Sequence, residues 1–390
     1  MQPRLKSIEF LYSMMKKKLR TGFTTGTAAA AATKGALRLI VEGSPPASVR
    51  IRLLTGDVIS IPVHTCRLEK KGRASCSVIK DAGDDPDVTH KAEIGARVTL
   101  VKHRSGKQPN AGPQIFIRGG EGVGRVTKPG LEVEPGQPAI NPGPRKMIIR
   151  AIEDVLAEKY GNYTVNSEIF VPQGKKLAEK TLNARLGILG GISILGTSGI
   201  VHPMSHAAFI ATIESALAVA CATGCDRVVL TTGRRSERFA QTCCPHLPQE
   251  AFIQIGDFFK ASLVAAAACE GFDHLTLAVF FGKALKMSQG VANTHAANSD
   301  MTMQALAEWT YEITHDKKFS ETVSAANTAR QAFELIRKQC PQVIDHVGRK
   351  IVKAARVFAG SNVKIRSVIF DYSGNIFFDS EFLQQGVRGG

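Results

Sequence analysis

Apolar and polar residues alternate over residues 49–65 and 74–80, the two-residue period of half-buried strands. Lys70, Lys71 and Arg73 form a basic turn between them. Two more strand-like runs, VTLV and QIFI, lie between Ile94 and Ile117. The period then lengthens, and Ile148, Ile149, Ile152, Val155 and Leu156 mark one face of a helix over about 145–159. VNSEIFVPQG reads as a strand and residues 174–182 as a short helix. Earlier, residues 19–43 place Thr24, Thr25, Gly26 and Thr27 ahead of an alanine-rich helix that stops at Gly43. These elements follow no regular order and predict an N-terminal mixed α+β domain over 19–185.

From Leu186 the order becomes regular. A glycine-rich strand leads through Pro203 into a helix over 204–222. Strand 227–232 precedes helix 234–243, strand 252–255 precedes helix 257–270, and strand 274–281 follows. Short apolar strands alternating with helices predict a parallel sheet covered by helices, a Rossmann-like α/β domain over 186–360. Helices are expected at 301–313, 320–340 and 341–357, and SVIFDYSGNIFF reads as a hairpin turning at residues 373–375. The hairpin and tail, 361–390, are expected to pack back on the N-terminal domain. Residues 1–18 read as a disordered basic extension, with Met14 or Met15 an equally good start.

Ligands on parallel sheets sit outside the carboxyl ends of the strands. The strand ends here carry Gly190 and Gly191, Thr231, Thr232 and Gly233, Gly256 and Asp257, and Gly282 and Lys283, and all four are expected to converge. The first of these glycine runs serves either a ligand or a tight packing turn. Gly191 to Ser198 imitates a P-loop but has Thr197 where that motif needs Lys, which excludes a P-loop NTPase. Residues 119–124 imitate a dinucleotide fingerprint but run into five prolines, so no helix can open there. Thr21, Thr24, Thr25 and Thr27 exceed the one hydroxyl that capping needs, which leans toward a ligand. Four aspartates within residues 81–87 suit either an Asx-rich turn or a hard cation such as Mg²⁺. His295, with Asp300 soon after, is either a proton carrier or a cap.

Composition adds a direction. A net charge of +16 over 390 residues favours anionic partners, either nucleic acid or a small polyanion. The basic residues are scattered and aromatics are only 6%, and no nucleic-acid motif is visible. Eight cysteines without a C-x-x-C pair suit reduced thiols in the cytoplasm, and no resident metal is expected. The apolar runs are interrupted, so no membrane span and no membrane partner are expected. A homo-oligomer is compatible with all of this.

Nine segments in order resemble one family, the cobalamin-biosynthesis C1-methyltransferases of the CbiD type. They are RTGFTTGT (20–27), DAGDDPDVTH (81–90), GGEGVGRVTKPGL (119–131), PAINPGPRKMI (138–148), EIFVPQG (168–174), LNARLGILGGISILGTSGIV (182–201), TTGRRSE (231–237), IGDF (255–258) and GKALKMSQGVANTH (282–295). The family usually has Cys where this chain has Ala28, which argues against a nucleophilic cysteine at that loop.

The resemblance implies that S-adenosylmethionine methylates C1 of cobalt-precorrin-5B to give cobalt-precorrin-6A. The implied donor ligands are Gly190, Gly191, Ser193, Thr231, Thr232, Gly233, Gly256 and Asp257. Arg20, Arg234, Arg235 and Lys283 would pair with substrate carboxylates, with Thr24, Thr25, Gly26 and Thr27 closing the cleft. His295 or Asp257 would assist any proton loss. The alternatives are a basic nucleic-acid-binding or RNA-modifying protein, a nucleotide-dependent transferase or kinase, and a non-catalytic corrinoid-binding protein.

Overall fold

The computed structural model describes residues 19–103, 113–156, 163–295 and 299–381, without the side chains of 299–301. The basic extension 1–18, the end of the helix expected to 159, the side chain of Asp300 and the tail from 382 therefore lie outside the described residues. The chain divides into two compact units, residues 1–128 with 132–205, and 129–131 with 206–390. Both mix helices with strands, in sheets of parallel and antiparallel pairs.

The first unit begins with β1 (Gly22–Phe23) and α1 (Thr25–Glu42). Next come β2 (Ser48–Arg52), β3 (Val58–Pro62), β4 (Thr65–Lys70), β5 (Arg73–Ile79) and β6 (Glu93–Lys102). After them lie β7 (Gln114–Gly119), β8 (Arg125–Val126), α2 (Pro142–Leu156), β9 (Tyr163–Phe170), α3 (Gly174–Ala178), β10 (Ile188–Leu189) and β11 (Ile200–Val201). The main sheet runs β4-β5-β6-β9-β7, antiparallel except for the parallel β7–β9 pair.

Helix α1 lies in the core against α2, β5 and β6. Its alanine run, Ala28 to Ala32, is fully buried. Alanine favours the helix and lets its backbone approach the sheet closely. The Thr24 side chain caps the start by accepting from Thr27 N at 3.2 Å, and Gly43 closes the end in the left-handed conformation.

The two glycine-rich runs pack backbone against backbone. Ile192 N donates to Gly122 O at 3.0 Å, and Gly124 N donates to Ile192 O at 2.9 Å. A Cβ at Gly191 would overlap the Gly122 carbonyl. Gly191 is thus packed against backbone, whereas a Cβ at Gly190 would meet nothing within 4 Å. Residues 186–205 complete the first unit instead of opening the second: among the described residues β10 pairs with β8 and β11 with β1, both strands of that unit.

The second unit has α4 (His206–Ala222), β12 (Arg227–Thr231), α5 (Arg234–Cys243), β13 (Phe252–Gln254), α6 (Phe259–Ala267), β14 (His274–Phe280) and α7 (Phe281–Ser288). It ends with α8 (Ser299–Thr314), α9 (Lys317–Ser324), α10 (Ala329–Gln339), α11 (Gln342–Ala359), β15 (Lys364–Phe370) and β16 (Ile376–Asp379). The expected helix over 320–340 is two helices, because Thr328 caps a new one by accepting from Gln331 N.

The sheet order is β13-β12-β14-β15-β16, with the first four parallel and β16 antiparallel. The closing hairpin thus extends the second unit's sheet, and β15 finds seven residue partners on β14. Alternate residues serve opposite faces. Leu230, Leu277 and Ile369 share a core with Phe259 and Leu263 of α6, while Val229, Ala278 and Phe370 meet Ala240 of α5.

Among the described residues no helix is long and apolar enough to cross a membrane, and all eight cysteines are free. Gly191→Ala should destabilise the first unit by about 1–3 kcal/mol, because its Cβ meets backbone that cannot move aside. Chemical denaturation checks this, and wild-type stability in the variant would contradict the interlock.

Candidate functional site

The connections of the second unit mark one edge of its sheet. Helix α5 leaves β12 on one face and leads to β13, and α6 returns across β12 on the other face to reach β14. Helix α7 leaves β14 on that second face toward β15, so the connections that follow β12 and β14 diverge at the carboxyl ends of these neighbouring strands, where such sheets hold ligands.

Thr231 is buried at the end of β12, and its backbone carbonyl accepts from Ile255 N at 2.7 Å. Thr232 and Gly233 then lead into α5. A Cβ at Gly233 would meet nothing within 4 Å, so this turn borders open space. Arg234 and Arg235 follow at the first two helical positions, both exposed.

At the neighbouring strand end Gly256 turns with φ 54°, and the Phe209 ring lies against it. Phe258 stands 5.1 Å from Phe209 and 5.2 Å from His206, ring to ring. Asp257 forms an ion pair with Lys283, and Thr294 Oγ1 donates to the same carboxylate at 3.1 Å. Lys283 Nζ also donates to Thr294 O at 3.1 Å, and Lys286 Nζ to His295 O at 3.0 Å, so the loop after α7 is tied to this edge. Burial pushes the Asp257 carboxyl up, but the Lys283 bond and charge with the Thr294 bond outweigh it and hold it below the usual range. Burial and the neighbouring Lys283 charge lower Lys286. A carboxylate held this way is a fixed acceptor and a poor base.

Phe280 ends β14 and stacks on Tyr372, just past β15, with centroids 5.5 Å apart and planes 3° apart. Sequence reasoning missed this pair because periodicity does not show which strand ends lie side by side. It missed Phe209 because an apolar helix gives no sign of which rings face a strand end.

The expected site residues thus separate. Thr231, Thr232, Gly233, Arg234, Arg235, Gly256, Asp257 and Lys283 gather on the second unit's edge, with His295 exposed on the tied loop. Lys283 is the third residue of α7 and reaches the edge through its side chain. Gly190, Gly191 and Ser193 belong to the first unit and, contrary to expectation, do not end a strand of the parallel sheet.

The threonines serve the interlock. Thr24 caps α1, Thr25 Oγ1 accepts from Leu195 N at 2.9 Å, and Thr27 Oγ1 donates to Gly199 O at 2.7 Å. Gly26 packs on Pro144. The hydroxyls of Thr25 and Thr27, beyond the capping need, are engaged by residues 193–199. Arg20 is bound by Asp81 and, through its backbone, by Asp84 at 2.7 Å. Asp85 accepts from Met204 N at 2.9 Å, and Asp87 pairs with buried Lys80 at 2.5 Å. All four aspartates are engaged, and no group of three or more His, Cys, Asp or Glu among the described residues can hold a metal ion.

The Asp257–Lys283 pair has a pH signature. A carboxyl with a lowered folded-state pKa contributes stability that is full above its unfolded value and is lost as pH falls through the folded one. The stability gap between wild type and Lys283→Met should therefore shrink as pH drops from about 6 to about 3. Denaturation curves across that range check it, and a gap independent of pH would contradict it.

Comparison with known proteins fits this division. The CbiD family profile matches residues 12–203, ending close to the unit boundary, and the profile described as CbiD, C-terminal domain matches residues 293–381. A cobalt-precorrin-5B C(1)-methyltransferase of Geobacillus thermodenitrificans is 41% identical over 92% of this chain and 94% of its own. One from Leptospira borgpetersenii is 39% identical over 95% and 98%, and one from Geobacter metallireducens 44% over 82% and 88%. A crystal structure of the cobalamin biosynthesis protein cbiD from Archaeoglobus fulgidus is 27% identical over 68% of this chain and 78% of that one, with a TM-score of 0.37. Profile matches in both halves and identity near 40% over nearly the full length lead to one assignment: the chain belongs to the CbiD family.

Proposed function

We propose that this chain transfers a methyl group from S-adenosylmethionine to C1 of cobalt-precorrin-5B, giving cobalt-precorrin-6A. The observation that carries this is the shared name of relatives about 40% identical over nine-tenths of the chain. The excess of positive charge, +16, suits a macrocycle fringed with carboxylates.

The donor, when bound, supplies an electrophilic methyl on a sulfonium. We read the second unit as Rossmann-like and assign the donor to its sheet edge. The residues present fit such a group. Gly233 leaves open space, Phe209 and Phe258 offer apolar ring surface, and the Asp257 carboxylate, held below its usual range, offers an acceptor to a hydroxyl pair or an ammonium. Lys283 and Thr294 hold that carboxylate in one position. Arg234 and Arg235 attract substrate carboxylates from the first turn of α5. Methyl transfer requires no covalent enzyme intermediate, so these residues act by orienting the partners and excluding water. His295 is the proposed acceptor for any proton the ring gives up.

Anaerobic incubation with methyl-labelled S-adenosylmethionine and cobalt-precorrin-5B should place label on the ring. Binding of both without transfer would overturn the enzyme reading in favour of a corrinoid-binding protein. Asp257→Ala should weaken donor binding by about tenfold, as loss of a charge-assisted acceptor does. Unchanged binding in calorimetry would place the donor elsewhere.

A further inference from the structure

At the edge described above, four planar groups lie in series. Arg235 Cζ is 5.3 Å from the centroid of Phe280, Phe280 stacks on Tyr372 at 5.5 Å, and Arg330 Cζ is 4.6 Å from the centroid of Tyr372. The rings come from the carboxyl ends of two neighbouring parallel strands, β14 and β15, and the two arginines from different helices, α5 and α10. Arg235 is further held by donating to the Tyr372 carbonyl. Arg330 sits at the second position of α10, whose start is fixed by the Thr328 cap and by Asn327 N donating to Gln331 Oε1 at 3.0 Å.

Both guanidinium groups are exposed, and among the described residues neither has a carboxylate within 4.0 Å. A guanidinium laid on a ring keeps its in-plane N–H donors directed outward, and the ring fixes that plane. Arg330 also stands in a first helical turn that contains no acidic residue, where a cation is disfavoured by the helix dipole. Its position thus runs against local helix stability while presenting to solvent a guanidinium that, among the described residues, has no carboxylate within 4.0 Å.

We infer that the Arg235–Phe280–Tyr372–Arg330 stack is a carboxylate clamp, which binds acidic side arms of the substrate ring and sets which ring is accepted. Arg330 and Tyr372 are the new members of the site. Arg330 binds one carboxylate bidentately, and Tyr372 holds the plane of that guanidinium. The inference rests on the proposed methylation of a carboxylate-fringed macrocycle.

The test uses the full chain and a stable polycarboxylate ring, uroporphyrin III, with affinity followed by quenching of its fluorescence. Arg330→Gln should weaken binding about tenfold, the effect of losing one charged hydrogen-bonding partner. Arg330→Lys should recover only part of this, since an ammonium keeps the charge without the planar fork. In methyl transfer, Arg330→Gln should raise KM for cobalt-precorrin-5B about tenfold and leave kcat within about twofold, as loss of uniform binding does. Binding of S-adenosylhomocysteine should be unchanged. Wild-type affinity for uroporphyrin III in Arg330→Gln would overturn the clamp, and full recovery by Lys would overturn the role of the stack. Absence of methyl transfer by the wild type, with ring binding still lost in Arg330→Gln, would instead overturn the methylation reading and leave the clamp standing.

Discussion

The first unit depends on close contact between two stretches of backbone. Residues 119–124 and 187–196 exchange hydrogen bonds directly, and side chains are absent where the strands of chain touch, at Gly122, Gly124 and Gly191. Thr24, Thr25 and Thr27 extend the same contact to the start of α1, and α1 in turn carries the buried alanine face onto the sheet. A single Cβ at the crossing would disturb core, cap and loop together. That constraint explains a glycine density which in isolation looks like a phosphate cradle.

The second unit solves a different problem. Four parallel strands need helices on both faces, and the order β13-β12-β14 forces consecutive connections to opposite sides. The edge where they part collects chemistry from separate parts of the sequence: Thr231 to Arg235, Gly256 to Phe258, Phe280 to Lys283, and Tyr372. Electrostatics at that edge are arranged and not merely positive. Asp257 is neutralised by Lys283 and kept charged by it, while arginines stand in first helical turns facing solvent.

Much of this was legible in the residues. The alternation at 227–232, 252–255 and 274–281 located three parallel strands, and strand-end logic picked out Thr231, Gly233 and Asp257 before any contact was known. Two things were not legible. Periodicity cannot say which sheet a strand joins, so nothing in the run before Asp371 places it, or Tyr372, beside β14. Glycine spacing cannot say whether bare backbone faces a ligand or other backbone, and Gly191 meets the backbone of Gly122 and Val123 instead of ending a strand of the parallel sheet. The Asp257–Lys283 pair joins residues 26 apart and was invisible as a pair, although each was singled out.

The central claim is that the methyl donor sits on the carboxyl edge of the second unit's sheet. Hydrogen–deuterium exchange with and without S-adenosylhomocysteine tests it directly. Protection confined to peptides covering 231–235, 255–258 and 280–283 is the predicted result. Protection of the glycine interlock around 187–196, with no change at those strand ends, would contradict it.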